Sequence, residues 1–94
     1  MEKTNFKNLI KSWYISYNPY SDLFQIYDGV AFETPKEKLI EKKNNHVRIL
    51  IDKNSLLPIL LEIDHAYDIL GTDINSLPKS DIINLVMPYI QKYG

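Results

Sequence analysis

Two histidines, His46 and His65, carry the side chains in this sequence whose ordinary pKa lies near neutral pH. An acid–base pair would use His65 with Glu62 or Asp68, which lie close to it in the chain. No motif places a nucleophile beside these residues, and along an extended strand Asp64 shares the face of Glu62 while His65 points the other way. We therefore interpret the segment as a strand-to-helix junction in which Asp64 caps the next helical turn. A small enzyme that uses His65 is the alternative.

A metal centre needs three or four converging ligands, and the sequence offers two isolated histidines among scattered carboxylates. There is no cysteine, which excludes disulfides, thiolate catalysis and Cys-ligated zinc or iron–sulfur sites. The segment Asp52–Ser55 lacks the glycine and the distal glutamate of a calcium loop, so it is interpreted as a turn. The sequence thus predicts no catalytic residue, no metal and no cofactor.

Lysines crowd the segment from Lys36 to Lys43, where Glu37 and Glu41 alternate with them. Such mixed charge is typical of a solvated surface. The whole chain has 11 basic and 12 acidic residues and a formal charge of −1. No overall field attracts it to a phosphate backbone, so any role with nucleic acid is expected to be indirect.

Aromatic residues are the more unusual feature, with seven Tyr, three Phe and one Trp. Tyrosine is enriched at protein interfaces because it buries a large area at little entropic cost. We therefore expect part of the aromatic and lysine set to form an interaction surface. The candidate residues are Tyr14, Tyr20, Tyr27, Lys36, Lys42, Lys43, Tyr89 and Tyr93.

The 94 residues, of which 45% are apolar and 24% charged, are expected to form one domain over residues 1–94. The N-terminal segment is too polar for a signal peptide, and no apolar run has the length of a membrane span. These features predict a cytoplasmic protein that does not enter a membrane.

The N-terminal half predicts a helix followed by a hairpin. Phe6, Leu9, Ile10 and Trp13 have helical spacing, with Thr4 as a possible cap. Residues 13–17 and 23–27 are rich in aromatic and β-branched residues, which favours two strands. Between them, Asn18 and Ser21 can accept hydrogen bonds from turn amides and Asp22 can cap the turn, so this stretch is assigned a folding role.

The next segment predicts a turn and then a helix. Asp28-Gly29 permits the positive φ angles of a tight turn into an extended piece over residues 30–32. Thr34 to Glu37 has the form of a capping box with Pro35 at the first helical position. A helix over residues 35–43 follows, with an exposed strand as the alternative.

Residues 47–51 and 57–63 predict two further strands, and the second is expected to be buried on both faces because it is almost continuously apolar. Residues 65–71 predict a short helix ended by Gly71. From Ser80 or Asp81 to Lys92 an apolar stripe at helical spacing predicts the longest helix, with a kink at Pro88.

The segments Tyr17–Leu23 and Val47–Asp52, followed by Leu61-Glu62-Ile63 and Ala66, resemble the small prokaryotic domain-of-unknown-function family 2283. The resemblance covers roughly residues 13–70. Members of that family have a Tyr-x-Pro-x-x-Asp turn after the first strand and an Ile-Glu-Ile strand before a small helix. The resemblance implies an antitoxin-like role in binding a small toxin, and it carries over no catalytic residue.

Together these features predict an α+β fold: a small antiparallel β-sheet of four or five strands, with an N-terminal hairpin and a meander. The C-terminal helix is expected on one face and the short N-terminal helix at an edge. The expected function is a non-enzymatic protein-interaction module that uses the kinked helix or an exposed sheet edge. It would act as a homodimer or as an accessory subunit of a larger complex, for example in DNA replication.

Overall fold

A computed structural model describes the backbone of residues 6–93 and the side chains of residues 8–92. It has an α+β fold in which a five-stranded antiparallel sheet is accompanied by a C-terminal and a short N-terminal helix, as predicted. The elements in chain order are α1 (Phe6–Ile10), β1 (Tyr14–Asn18), β2 (Leu23–Tyr27), β3 (Leu39–Asn44), β4 (Val47–Asp52), β5 (Pro58–Ile63), α2 (Ala66–Leu70) and α3 (Lys79–Tyr93). The proposed cap Thr4 lies outside the described residues.

The strand order in the sheet is β1-β2-β5-β4-β3. Strands β3, β4 and β5 form a meander, and the β1–β2 hairpin joins it through the pairing of β2 with β5. This arrangement is a Greek key: β3, β4 and β5 are joined by short turns, and β2, which precedes β3 in the chain, lies beside β5 at the other side of the meander. As the central strand, β5 is buried on both faces, which explains its continuous apolar sequence. The β4–β5 register shifts between Leu50 and Ile51.

One face of the sheet packs against the helices and forms the main core. Helix α3 contributes Ile82, Ile83, Val86 and Ile90, which lie at the helical spacing that the sequence predicts. The buried side chains of the sheet that share this core are Phe24, Ile26, Val47, Ile49, Ile51, Leu61 and Ile63. Helix α1 packs against α3 and adds Ile10, with Trp13 beside it. Full burial of each such side chain stabilises the fold by about 1.5–3 kcal/mol.

The other face, here called the open face, is covered at one end by residues 28–38, which connect β2 to β3. Ala31 is buried there against Ile59 and Leu60. The prediction of an extended piece over residues 30–32 is wrong, because Ala31 N donates to Asp28 O and Val30 N donates to the Asp28 carboxylate. These bonds build a turn, and its backbone does not place Gly29 at positive φ.

The prediction of a helix over residues 35–43 is also wrong. Residues Lys36–Lys38 form one 3₁₀ turn, and the chain then enters β3, which matches the alternative of an exposed strand. Thr34 does not cap a helix, because its hydroxyl donates to Val30 O. The segment has no apolar stripe at helical spacing, whereas pairing with β4 half-buries Leu39 and Ile40.

Helix α2 begins without a cap from Asp64, contrary to the sequence interpretation. The residue at its N-cap is His65 in the left-handed conformation, and its side chain makes no capping bond. The carboxylate of Asp22, in the turn of the β1–β2 hairpin, instead accepts from Tyr67 N at 3.1 and 3.2 Å. At the other end Gly71 adopts φ 74°, which confirms it as the C-terminal cap.

Helix α3 continues through Pro88 to Tyr93. The kink at Pro88 stays a prediction.

Candidate functional site

A row of polar side chains crosses the open face from β2 to β3. Strand register places Gln25, Glu62 and Arg48 side by side. The Glu62 carboxylate accepts from Gln25 Nε2 at 3.0 Å and from Arg48 Nη2 at 2.7 Å, and Arg48 Nη1 donates to Glu41 Oε1 at 3.0 Å. Partial burial lowers the pKa of Arg48, but the hydrogen bonds to both glutamates outweigh this and leave it raised. Glu62 is thus part of this network and makes no contact with His65 among the hydrogen bonds of the described residues.

An aromatic patch lies next to this row, where β1 begins and β2 ends. Tyr14 and Tyr27 are opposite each other in the hairpin, with ring centroids 5.9 Å apart, and Phe32 meets Tyr27 edge-on at 4.7 Å. Tyr14 is 61% exposed and Phe32 65% exposed. A side-chain carbon at Gly29 would lie 3.2 Å from the Tyr14 ring, so the glycine allows the ring to approach the turn. We call Tyr14, Tyr27 and Phe32 the aromatic patch.

The two edges of the sheet differ in chemistry. Strand β3 exposes Glu41, Lys42 and Lys43, and charged side chains on an edge oppose pairing with another strand. Strand β1 has the sequence YISYN, without charge or proline. Among the described residues, no backbone–backbone hydrogen bond joins β1 to a segment other than β2. The outer edge of β1 is therefore chemically suited to pair with another strand.

The two histidines, which the sequence interpretation treated as isolated, lie side by side at one end of the sheet. His46 is in the β3–β4 turn and His65 follows β5, and the centroids of their rings are 4.5 Å apart. Asp64 N donates to His46 O at 2.9 Å, which extends the β4–β5 ladder and brings the two segments together. The reasoning from the sequence missed this group because it did not use the register of β4 against β5. A Val47–Ile63 pairing would have placed His46 opposite Asp64.

Both imidazoles bind the same carboxylate oxygen. His46 Nδ1 lies 2.7 Å from Asp64 Oδ1, and His65 Nδ1 also contacts this oxygen. The hydrogen bond from His65, with a further one from His46, holds the pKa of Asp64 below its usual value. The bond to Asp64 raises the pKa of His65, to which the negative charges of Asp64, Asp22 and Asp68 contribute. Asp68 thus acts on His65 through its charge, whereas the direct partner of His65 is Asp64. The expectation that Asp64 and His65 point to opposite faces is wrong, because His65 lies beyond the end of β5 in the left-handed conformation.

The predicted surface residues do not form one surface. Tyr14 and Tyr27 meet in the aromatic patch, whereas Tyr20 is fully exposed in the hairpin turn at the other end of β1. Lys42 and Lys43 lie on the opposite edge strand. Lys36 lines a cleft of about 240 Å³ on the open face, which it shares with Leu39, Glu41, Arg48 and Leu50.

On α3, Tyr89 is half-buried and its hydroxyl donates to Ile69 O at 3.3 Å, which gives it a structural contact with α2. The side chain of Tyr93 lies outside the described residues.

No family model matches the chain, and no curated protein or solved structure is similar to it at a significant level. The resemblance to family 2283, the antitoxin-like role and the place in a larger complex therefore stay predictions. Within residues 6–93 no helix is both long and apolar enough to cross a membrane.

Proposed function

We propose that this protein is a non-enzymatic protein-interaction module that binds a second copy of itself through the edge of β1. The observation that carries the proposal is the contrast between the two edges of the sheet. Charged side chains protect β3, whereas β1 presents a strand without charge, proline or bulge. Strand addition at such an edge provides main-chain hydrogen bonds without a preformed pocket.

The sequence of β1 favours an antiparallel pair centred on Ser16. In this register Ile15 lies opposite Tyr17 of the second copy, and both half-buried side chains stay on the helix side of the sheet. Pairs of an aromatic and a β-branched residue stabilise adjacent strands by about 0.2–1 kcal/mol each. A register shifted by one residue would pair Ile15 with a residue whose side chain lies on the open face of the second copy, so the helix side of one sheet would continue into the open face of the other. A shift by two would shorten the pairing, so the Ser16-centred register is preferred.

A two-fold axis at Ser16 would make the two sheets continuous and put both open faces on the same side. Each aromatic patch would then border the join, because Tyr14 lies opposite Asn18 of the second copy in this register. Such a dimer offers one broad face with two aromatic patches. This face suits a subunit that supports a larger protein complex, and it gives Tyr14 and Tyr27 the interaction role that the sequence suggests.

The test introduces opposite charges at Ser16, whose side chain is exposed and would lie next to Ser16 of the second copy at the two-fold axis. Size-exclusion chromatography with light scattering should give the wild type twice the 11.0 kDa mass of one chain. Ser16→Lys and Ser16→Glu should each be monomeric, since like charges meet at the axis. An equimolar mixture of the two variants should form a heterodimer.

The matched control is Ser80→Lys, which adds the same charge at an exposed position of α3 and should leave the dimer intact. A wild type that is monomeric at tens of micromolar would contradict the proposal. A dimer that persists in both single Ser16 variants would contradict it as well.

A further inference from the structure

The cluster of His46, Asp64 and His65 gathers three side chains of the types that bind transition metals. Their ligand atoms, one from each residue, all lie within 4.8 Å of one another. The side chains are partly exposed, with relative accessibilities of 44% for His46 and Asp64 and 63% for His65. An ion could therefore reach the group from solvent without any opening of the core.

The ligand atoms of the cluster lie near one another in a hydrogen-bonded arrangement that a metal ion could replace. Both Nδ1 atoms already face Asp64 Oδ1. Ligands at about 2.0–2.1 Å from a tetrahedral ion lie about 3.3 Å from each other. The 2.7 Å separation between His46 Nδ1 and Asp64 Oδ1 has to widen to that value, and any pair near the 4.8 Å limit of the cluster has to close to it. Rotation of exposed side chains provides that adjustment.

The backbone positions the ligands from two directions. The bond from Asp64 N to His46 O fixes the two segments relative to each other. His65 adopts the left-handed conformation with φ 51° and ψ 42°, which is uncommon and unfavourable for a non-glycine residue. Asn45, directly before His46, is also left-handed at φ 52°. Asparagine tolerates this conformation, so the strain lies at His65, and strained backbone is often found where side chains must meet in a defined arrangement.

The charge around the cluster favours a cation. Asp64 is a ligand candidate, and Asp22 and Asp68 lie close enough for their charges to act on His65. With two neutral imidazoles and one carboxylate, a divalent ion would be partly neutralised by its ligands and further attracted by the two nearby acidic groups.

We propose that His46, Asp64 and His65 bind one divalent transition-metal ion, for which zinc is the representative. Imidazole nitrogen with one carboxylate is a donor set for zinc, cobalt, nickel and copper, whereas calcium and magnesium require mostly oxygen ligands. Three protein ligands leave one position of a tetrahedral zinc for water or for a donor from another molecule. The site lies within one chain, so it does not depend on the proposed β1 dimer.

The test uses the full chain without a histidine tag, dialysed against a chelator and titrated with zinc chloride by isothermal calorimetry. One zinc per chain is expected at neutral pH, and magnesium and calcium should give no binding heat. In ¹H–¹⁵N spectra the zinc-dependent shifts should centre on residues 45–47 and 63–67. Cobalt should add visible absorption typical of tetrahedral nitrogen and oxygen ligation.

His46→Gln and His65→Asn each remove one ligand, and asparagine at residue 65 tolerates the left-handed backbone. Each variant should weaken zinc binding by at least about tenfold. Loss of a residue that only supports a ligand already costs about 10–100-fold in metal affinity, so loss of a ligand should cost no less. The matched control is Asp68→Asn, which removes a nearby charge without removing a ligand and should retain one zinc per chain. Circular dichroism establishes that each variant is folded.

The proposal is overturned if the wild type binds no zinc. It is also overturned if folded His46→Gln and His65→Asn bind zinc as tightly as the wild type.

Discussion

At the scale of single residues, Asp22 connects the turn of the β1–β2 hairpin to strand β1 and to helix α2. Its carboxylate accepts from the Tyr17 hydroxyl at 2.6 Å and from Tyr67 N, and its carbonyl accepts from Ala66 N at 3.0 Å. The hairpin turn therefore caps a helix that is more than forty positions away in the sequence. This role explains why Asp22 adopts a left-handed φ of 53° that is unusual for most residues but tolerated by aspartate.

Tyr17→Phe should destabilise the fold by about 1–2 kcal/mol, because the Asp22 carboxylate loses a charge-assisted hydrogen bond. Urea unfolding at pH 7 measures this change. Tyr20→Phe is the matched control, since Tyr20 is fully exposed, and its free energy of unfolding should stay that of the wild type. Equal stabilities of Tyr17→Phe and the wild type would contradict the role of Asp22.

The hydrogen bond between Tyr17 and Asp22 also predicts how the stability of the protein changes at alkaline pH. The hydrogen bond to Asp22, with partial burial, raises the pKa of Tyr17 to about 12. Since the pKa in the folded state is above the unfolded value, this stabilisation is fully present below about pH 10 and is lost as the pH rises through about 12. The difference in absorbance at 295 nm between wild type and Tyr17→Phe should report ionisation near that pH. Asp22→Asn should move the pH midpoint of Tyr17 ionisation toward 10. An unchanged midpoint would refute the assignment of the raised pKa to Asp22.

At the scale of elements, short helices depend on their ends more than on their length. Helix α2 has five residues, too few for stable helix formation on its own. Asp22 supplies its N-terminal acceptor, and Gly71 N donates to Tyr67 O at its C-terminus. The sequence predicts the glycine cap because Gly71 directly follows the helix in the chain. It does not predict the Asp22 cap, which depends on tertiary contacts.

Gly71→Ala should destabilise the protein by about 1 kcal/mol, because φ 74° is unfavourable for any residue with a Cβ. Apart from its neighbours along the chain, no atom lies within 4 Å of the added carbon, so the cost comes from the backbone conformation. Gly71→Asn should cost less, since asparagine adopts this conformation more readily. Thermal unfolding followed by circular dichroism ranks the three proteins. The prediction fails if alanine is tolerated as well as asparagine.

The segment before β3 illustrates the limit of local patterns. A Thr-Pro-Lys-Glu sequence favours a helix start, yet residues 39–44 form a strand because β4 offers a partner with an apolar face. The same limit applies to the cluster of histidines. Helix α3 follows from periodicity and strand β5 from its almost continuous apolar sequence. The meeting of His46 with His65 follows instead from strand register, which single-residue patterns do not contain.

At the scale of the whole molecule, the sheet separates two apolar clusters of different size. The helix side holds the main core, and the open face holds the smaller group around Ala31, Ile59 and Leu60. Central strand β5 contributes to both, so its side chains alternate between the two clusters except at the register shift. The stability of the molecule is therefore expected to depend strongly on this strand.

Leu61→Ala should destabilise the protein by about 2–5 kcal/mol, because Leu61 is fully buried in the main core and its truncation leaves a cavity. That loss is a large part of the 5–15 kcal/mol that is usual for a folded domain. Leu56→Ala is the matched control, because Leu56 is 63% exposed and should change the free energy of unfolding by less than about 0.5 kcal/mol. Denaturant titration distinguishes the two variants, and similar values for both would contradict this account of the core.

The position of β5 also has a consequence for synthesis on the ribosome. It is the last strand in the sequence but the central strand in the sheet, and it pairs with both β2 and β4. While the chain is being made, the β1–β2 and β3–β4 hairpins have no common neighbour until residue 63 has left the exit tunnel. The edges of β2 and β4 that face β5 in the folded sheet have no strand partner during that time, while synthesis proceeds at about 5–20 residues per second. The sheet then assembles late, when its central strand arrives between two hairpins that are already outside.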